Sequence, residues 1–184
     1  MTRRTLVVAL IATSFSSLMH GAEPGPKAGF RFFKWGDSPA REMVAMNLKK
    51  GGMDAYLIHQ DDMQIAGGKA SALTYFFFRK RLCRVEANYF FGPPQFTTQT
   101  GSMLEFARIG TMLEHEWGAP DDVSTINPPQ VDNEHWLSPD GKTDASLGFI
   151  PRHPADSRPF TGVLVDLIIE DRECVRQAVN GAGV

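Results

Sequence analysis

The sequence predicts an α+β fold in two layers, with helices packed on an antiparallel sheet. Three observations carry this reading. Strand-like runs are separated by hairpin signals at Gly67-Gly68, at Arg79-Lys80-Arg81 and at Ser138-Pro139-Asp140-Gly141-Lys142, which argue against the crossovers of a parallel sheet. Two segments carry helix starts and stops of their own. The order helix then strands occurs twice, which gives two similar halves, 30–94 and 101–184, inside one domain spanning 30–184.

The elements follow in order. Arg3 and Arg4 precede the uncharged apolar run LVVALIATSF, and small residues follow at Gly21 and Ala22. That is the layout of a cleavable secretory signal over 1–22, with an apolar run too short for a membrane span of roughly 20 residues. Residues 23–29 read as a flexible leader, and FRFFKWG as an extended segment entering a turn. Ser38 and Pro39 open a predicted helix through REMVAMNLKK, with Val44 and Leu48 on one face and Gly51-Gly52 as the stop. Strands are predicted over 55–59 and 61–66. A hairpin follows, with arms 70–78 and 82–91, the second alternating cleanly between Val85, Ala87, Tyr89 and Arg84, Glu86, Asn88.

In the second half, Ser102 and Glu105 form a capping box. The helix after it carries Phe106, Ile109, Leu113 and Trp117 at helical spacing and ends at Gly118-Ala119-Pro120. Strands are predicted over 134–137, 143–150 and 162–170, and a short helix over 174–179.

Composition limits the function classes. The chain has 19 basic and 21 acidic residues, and removal of the signal leaves 17 against 21. A mildly acidic balance gives no support for nucleic-acid binding. No later run is apolar enough for a transmembrane segment. Export implies a periplasmic or secreted protein. In that oxidising setting Cys83 and Cys174 read either as one disulfide or as two separate buried thiols.

The segment FKWGDSPARE resembles a loose group of uncharacterised exported bacterial domains. Their mature start is an aromatic-x-WG-x-S followed by a capped helix, and a later helix ends in WG-x-P or YG-x-P. Here those features are Trp35-Gly36-Asp37-Ser38, the hairpin arms 75–78 and 85–91, and Trp117-Gly118-Ala119-Pro120. The arrangement is also similar to β-lactamase-inhibitor-like and TBP-like α+β folds. The resemblance implies a fold and supplies no catalytic residue.

Nor do the residues themselves supply a catalytic set. His115-Glu116 does not complete a zinc-binding helix motif, and His59, His135 and His153 sit on separate elements, so no metal and no cofactor is expected. Asp61-Asp62 and Asp121-Asp122 read as solvated turn pairs, and 140–144 as a hairpin turn too short for a calcium loop. The notable feature is TYFFF, Thr74 to Phe78, in which Tyr75 and Phe77 face one side and Phe76 and Phe78 the other. Phe90, Leu164 and Ile168 also fall on nominally outer faces. Three readings stay open: the second face packs on the other half of the chain, it is a partner surface, or the register is shifted by one.

The expectation is a non-enzymatic exported binding module with a protein partner in the cell envelope. Tyr75, Phe77 and Phe90 would be its contacts, with Arg79 and Arg81 on the rim. The alternatives are a small-ligand or lipid carrier, with Phe106 and Trp117 lining a cavity between helices and sheet, and an enzyme built from residues distant in sequence.

Overall fold

The computed structural model describes residues 29–59, 62–65, 68–91, 99–126, 131–152 and 162–182. The expected export signal lies outside them. Twelve strands and two helices are formed among these residues. β1 (Gly29–Phe30) and β2 (Phe33–Lys34) make a small hairpin. They lead to β3 (Met43–Lys50) and β4 (Met53–Ile58). A second small hairpin, β5 (Gln64–Ile65) and β6 (Gly68–Lys69), precedes β7 (Ala72–Phe78) and β8 (Arg81–Phe91). Helix α1 (Gln99–Trp117) follows. Then come β9 (Asp122–Ile126), β10 (Val131–Leu137), β11 (Thr143–Arg152), β12 (Gly162–Asp171) and helix α2 (Arg172–Gly181).

Eight strands form one sheet in the order β3-β4-β7-β8-β12-β11-β10-β9, antiparallel throughout. Each half of the chain contributes a meander of four strands. The two meanders meet at a single seam, where Val85 to Phe91 of β8 runs against Val163 to Ile169 of β12.

This corrects the predicted class. Among the described residues strand predominates, and no layer of helices covers one face of the sheet. The order is strands then helix in each half, because the helix expected from Ser38 to Lys50 is the edge strand β3. Its pairing with β4 shifts register between Ala45 and Lys49. Such a bulge breaks the alternation that marks a strand, and pairing to a neighbour overrides the helix preference of Ala, Leu and Lys. β9 and the two-residue β6 are strands that the sequence reading did not find. The other elements are formed where expected, with shifted ends. Ser102 does not cap α1, which begins three residues earlier.

The two helices lie on opposite faces, as strand alternation shows. Tyr75, Phe77, Val85, Ala87 and Tyr89 point into a large core with Ile109 and Leu113 of α1 and Trp136, Leu147 and Leu167. Phe76 points the other way, into a smaller core of Met53, Ala55, Cys83 and, from α2, Cys174 and Ala178. So the second face of TYFFF packs on the other half of the chain, the first of the three readings above. The β7–β8 turn is Arg79-Lys80 with φ of 50° and 64°. Positive φ at both central residues is the hairpin turn that matches strand twist.

The tryptophan-glycine motifs prove to be joints. Trp35 Nε1 donates to Thr143 Oγ1 at 3.1 Å, and Gly36 N donates to Leu82 O at 3.0 Å, so this segment closes the bottom of the large core. At the end of α1, Gly118 N donates to Glu114 O, and Gly118 O accepts from Trp136 Nε1 at 3.1 Å. Gly118 has φ of 91°, a left-handed setting that glycine adopts without a Cβ clash.

Cys83 and Cys174 are bonded, across 91 positions of sequence. Cys83 stands at the bulge between β7 and β8, which turns it toward α2. Cys174 lies in the first turn of α2, whose N-cap Asp171 accepts from its backbone N–H. No helix among the described residues is long and apolar enough to cross a membrane.

Candidate binding face

The alternation that buries Val85, Ala87 and Tyr89 sends Arg84, Glu86 and Asn88 to the α2 face. Register across the seam then places Arg84 opposite Glu170 and Asn88 opposite Asp166. One strand further, Glu170 is opposite Asp144, and His135 of β10 is opposite Ser146. Side chains opposite one another on one face lie about 4.5–5.5 Å apart at Cβ, so this register builds a row of charges.

The row is connected. Arg84 lies 2.5 Å from Glu86 and 3.4 Å from Glu170. Lys50, at the end of β3, reaches Glu86 at 2.6 Å. Asn88 Nδ2 donates to Asp166 Oδ1 at 2.7 Å. His135 Nε2 stands 2.6 Å from Asp144 Oδ1, and Arg172 Nε stands 3.9 Å from Asp144 Oδ2. Glu86 and Arg84 are largely shielded, at 12% and 15% side-chain exposure, and Glu170 and Asp144 are at 23%. Burial pushes the Glu170 carboxyl above the usual range, with Asp144 and Glu86 adding and Arg84 opposing. Burial raises Asp166 in the same sense, with Glu86 adding.

A cavity of about 700 Å³ opens between this row and α2. Gly141, Lys142, Asp144, Glu170, Arg172 and Arg176 are among its lining residues. Its outer wall is the β10–β11 turn, formed as the sequence predicts. Gly141 N donates to Ser138 O, and Asp140 Oδ1 accepts from Lys142 N at 3.1 Å.

The residues proposed from sequence do not come together. Tyr75 and Phe77 are 0% and 1% exposed, so they are core and present no surface. Their rings pack in T-shaped pairs with Phe33 and Tyr56, with ring centroids 5.3 Å and 5.0 Å apart. Phe90 is 52% exposed. Arg79 and Arg81 are exposed at the opposite end of β8, and nine residues of strand put about 30 Å between Phe90 and Arg81. Two arginines so far away cannot rim a contact centred on Phe90. Phe106 packs edge-on against Phe149 at 6.0 Å, and Trp117 packs against the large core, so both help fill that core. Among the described residues no group of three His, Cys, Asp or Glu is placed to hold a metal.

Asp166 and Glu170 were not found by sequence reading, and His135 and Asp144 were weighed there only as metal ligands and set aside. The alternation of Arg84, Glu86 and Asn88 was a visible signal. The partners across the seam were not, because nothing local says that β8 pairs with β12.

The raised carboxyls predict a pH dependence. A carboxyl whose folded pKa is raised binds its proton more readily in the folded state, so it lowers stability as pH rises through the raised value. Below the unfolded pKa that penalty is absent. Replacing Glu170 with Gln is therefore expected to shrink the part of the stability gain that the wild type shows on acidification from neutrality into the carboxyl range. Urea unfolding of both proteins across that range checks this; identical profiles would mean that Glu170 is not the group responsible.

No protein-family model matches the chain, and no characterised protein and no solved structure gives a significant match.

Proposed function

We propose that the chain is an exported, non-enzymatic binding module working in the periplasm or outside the cell. Its recognition surface is the α2 face of the central strands, from Phe90 down to the cavity beside α2. One observation carries the reading. Ionisable side chains from β3, β8, β10, β11, β12 and α2 gather on a face that, among the described residues, only α2 packs against. Partly buried charge is costly unless something compensates it, and a partner of complementary charge would do so. The disulfide fits an oxidising compartment.

The test is a pull-down of the tagged protein from an envelope extract, with mass spectrometry of what is retained. A specific partner lost on Phe90→Ala and kept on Arg79→Ala is the expected result. A partner lost on Arg79→Ala alone would move the surface to the β7–β8 turn. Retention of nothing specific would count against a protein partner.

A further inference from the structure

The cavity beside α2 has a particular distribution of charge with depth. At its base, Asp144 and Glu170 are opposite each other in register and each is 23% exposed. They are like charges side by side. Arg84, the permanent cation nearest to Glu170, is shared with Glu86, which it holds more closely. Arg172 approaches Asp144 at 3.9 Å, beyond hydrogen-bond distance. His135 Nε2 takes Asp144 Oδ1 at 2.6 Å, so Asp144 Oδ2 and the Glu170 carboxylate are the acceptors left with incomplete compensation, in keeping with the upward push on Glu170.

The rim adds cations. Lys142, Arg172 and Arg176 line it, with side chains 79%, 52% and 67% exposed, together with Glu173 and with Asp171, which caps α2. Arg176 is engaged by Glu173 at 2.6 Å. Lys142 is 3.9 Å from Asp140, and Arg172 makes a long bond to Gly141 O at 3.3 Å. Two cations thus stand at the mouth with donors to spare. The volume is in the range of small-ligand sites, about 300–1,000 Å³.

We propose that this cavity binds a small zwitterion of the amino-acid or short-peptide class. The ammonium enters first and donates to Asp144 and Glu170, and the carboxylate stays at the mouth on Lys142 and Arg172. A simple anion would meet the two carboxylates at the base. A simple amine would leave the rim cations unused. Only a ligand carrying both charges, separated along its length, meets both levels. The inference rests on the same face as the binding reading and names a ligand class for it. Its test does not depend on any envelope partner.

Glycylglycine is the probe, titrated into the full chain and followed by amide shifts in two-dimensional NMR, with ethylamine and acetate as half-ligands. The expected result is saturable shifts at residues 141–144 and 170–176. Each half-ligand should bind about tenfold or more weaker, the loss of one charged hydrogen bond. Glu170→Gln and Lys142→Ala should each weaken glycylglycine by a similar factor. Lys142 is a surface side chain, so its variant stays informative if Glu170→Gln disturbs the row. Three outcomes would overturn the proposal: no shifts in these residues, acetate as effective as the dipeptide, or unchanged titrations in both variants.

Discussion

Replacing Cys83 and Cys174 together with alanine is expected to lower stability by about 4–5 kcal/mol. The bond links positions 91 apart, so it removes a large share of the conformations open to the unfolded chain. In the folded protein the same bond constrains little. Cys174 is three residues beyond Asp171, the end of β12, and β12 is already paired with β8. The link therefore pins only the base of α2, and the sheet should survive its loss. Urea unfolding of the double variant, and of the wild type with and without reductant, measures the effect. The midpoint should fall with a native-like far-ultraviolet spectrum retained before the transition. A change below about 1 kcal/mol would mean that the unfolded chain is already compact enough to make the link redundant.

Phe77→Ala should cost about 3–5 kcal/mol, and Phe90→Ala no more than about 0.5 kcal/mol. The two residues look alike in sequence, both aromatic and both in strands of one hairpin. Phe77 is fully enclosed beside Tyr56, so truncation loses its buried surface and leaves a hole. Phe90 is half exposed on the α2 face. Chemical denaturation of both variants compares them directly. Equal losses would contradict the burial of TYFFF described here. The contrast also separates a binding defect from a folding defect, since loss of a partner on Phe90→Ala would come with normal stability.

How much of this was legible is clearest in particular residues. β8 was readable because Val85, Ala87 and Tyr89 alternate with charged neighbours over one regular strand. α1 was readable because Phe106, Ile109, Leu113 and Trp117 recur at helical spacing. β3 was misread for a physical reason. As an edge strand it buries Met43 while most of its residues stay exposed, and its bulge scrambles the period of two. What remained was Ser38-Pro39 and an i, i+4 pair, Val44 and Leu48, which suit a helix equally well. The aromatic segment was misassigned because alternation tells which residues share a face and is silent on what covers it. Both faces of β7 are covered, one by the large core and one by α2. The candidate site was the least legible, because Arg84 and Asn88 meet Glu170 and Asp166 only through the seam between β8 and β12, strands far apart in sequence.

That seam has a consequence for assembly in time. The first meander ends at β8, whose free edge has no neighbour until β12 arrives, some 70 residues later in the chain. A growing chain therefore presents an open row of backbone donors and acceptors until β12 has been made. Cys83 waits even longer for its partner in α2. Closure of distant strands is slow, and an unpaired edge invites association with other chains. Nascent copies emerging close together are most vulnerable during this interval. Completion of β12 ends it by closing the exposed edge of β8, and α2 then brings Cys174 to Cys83.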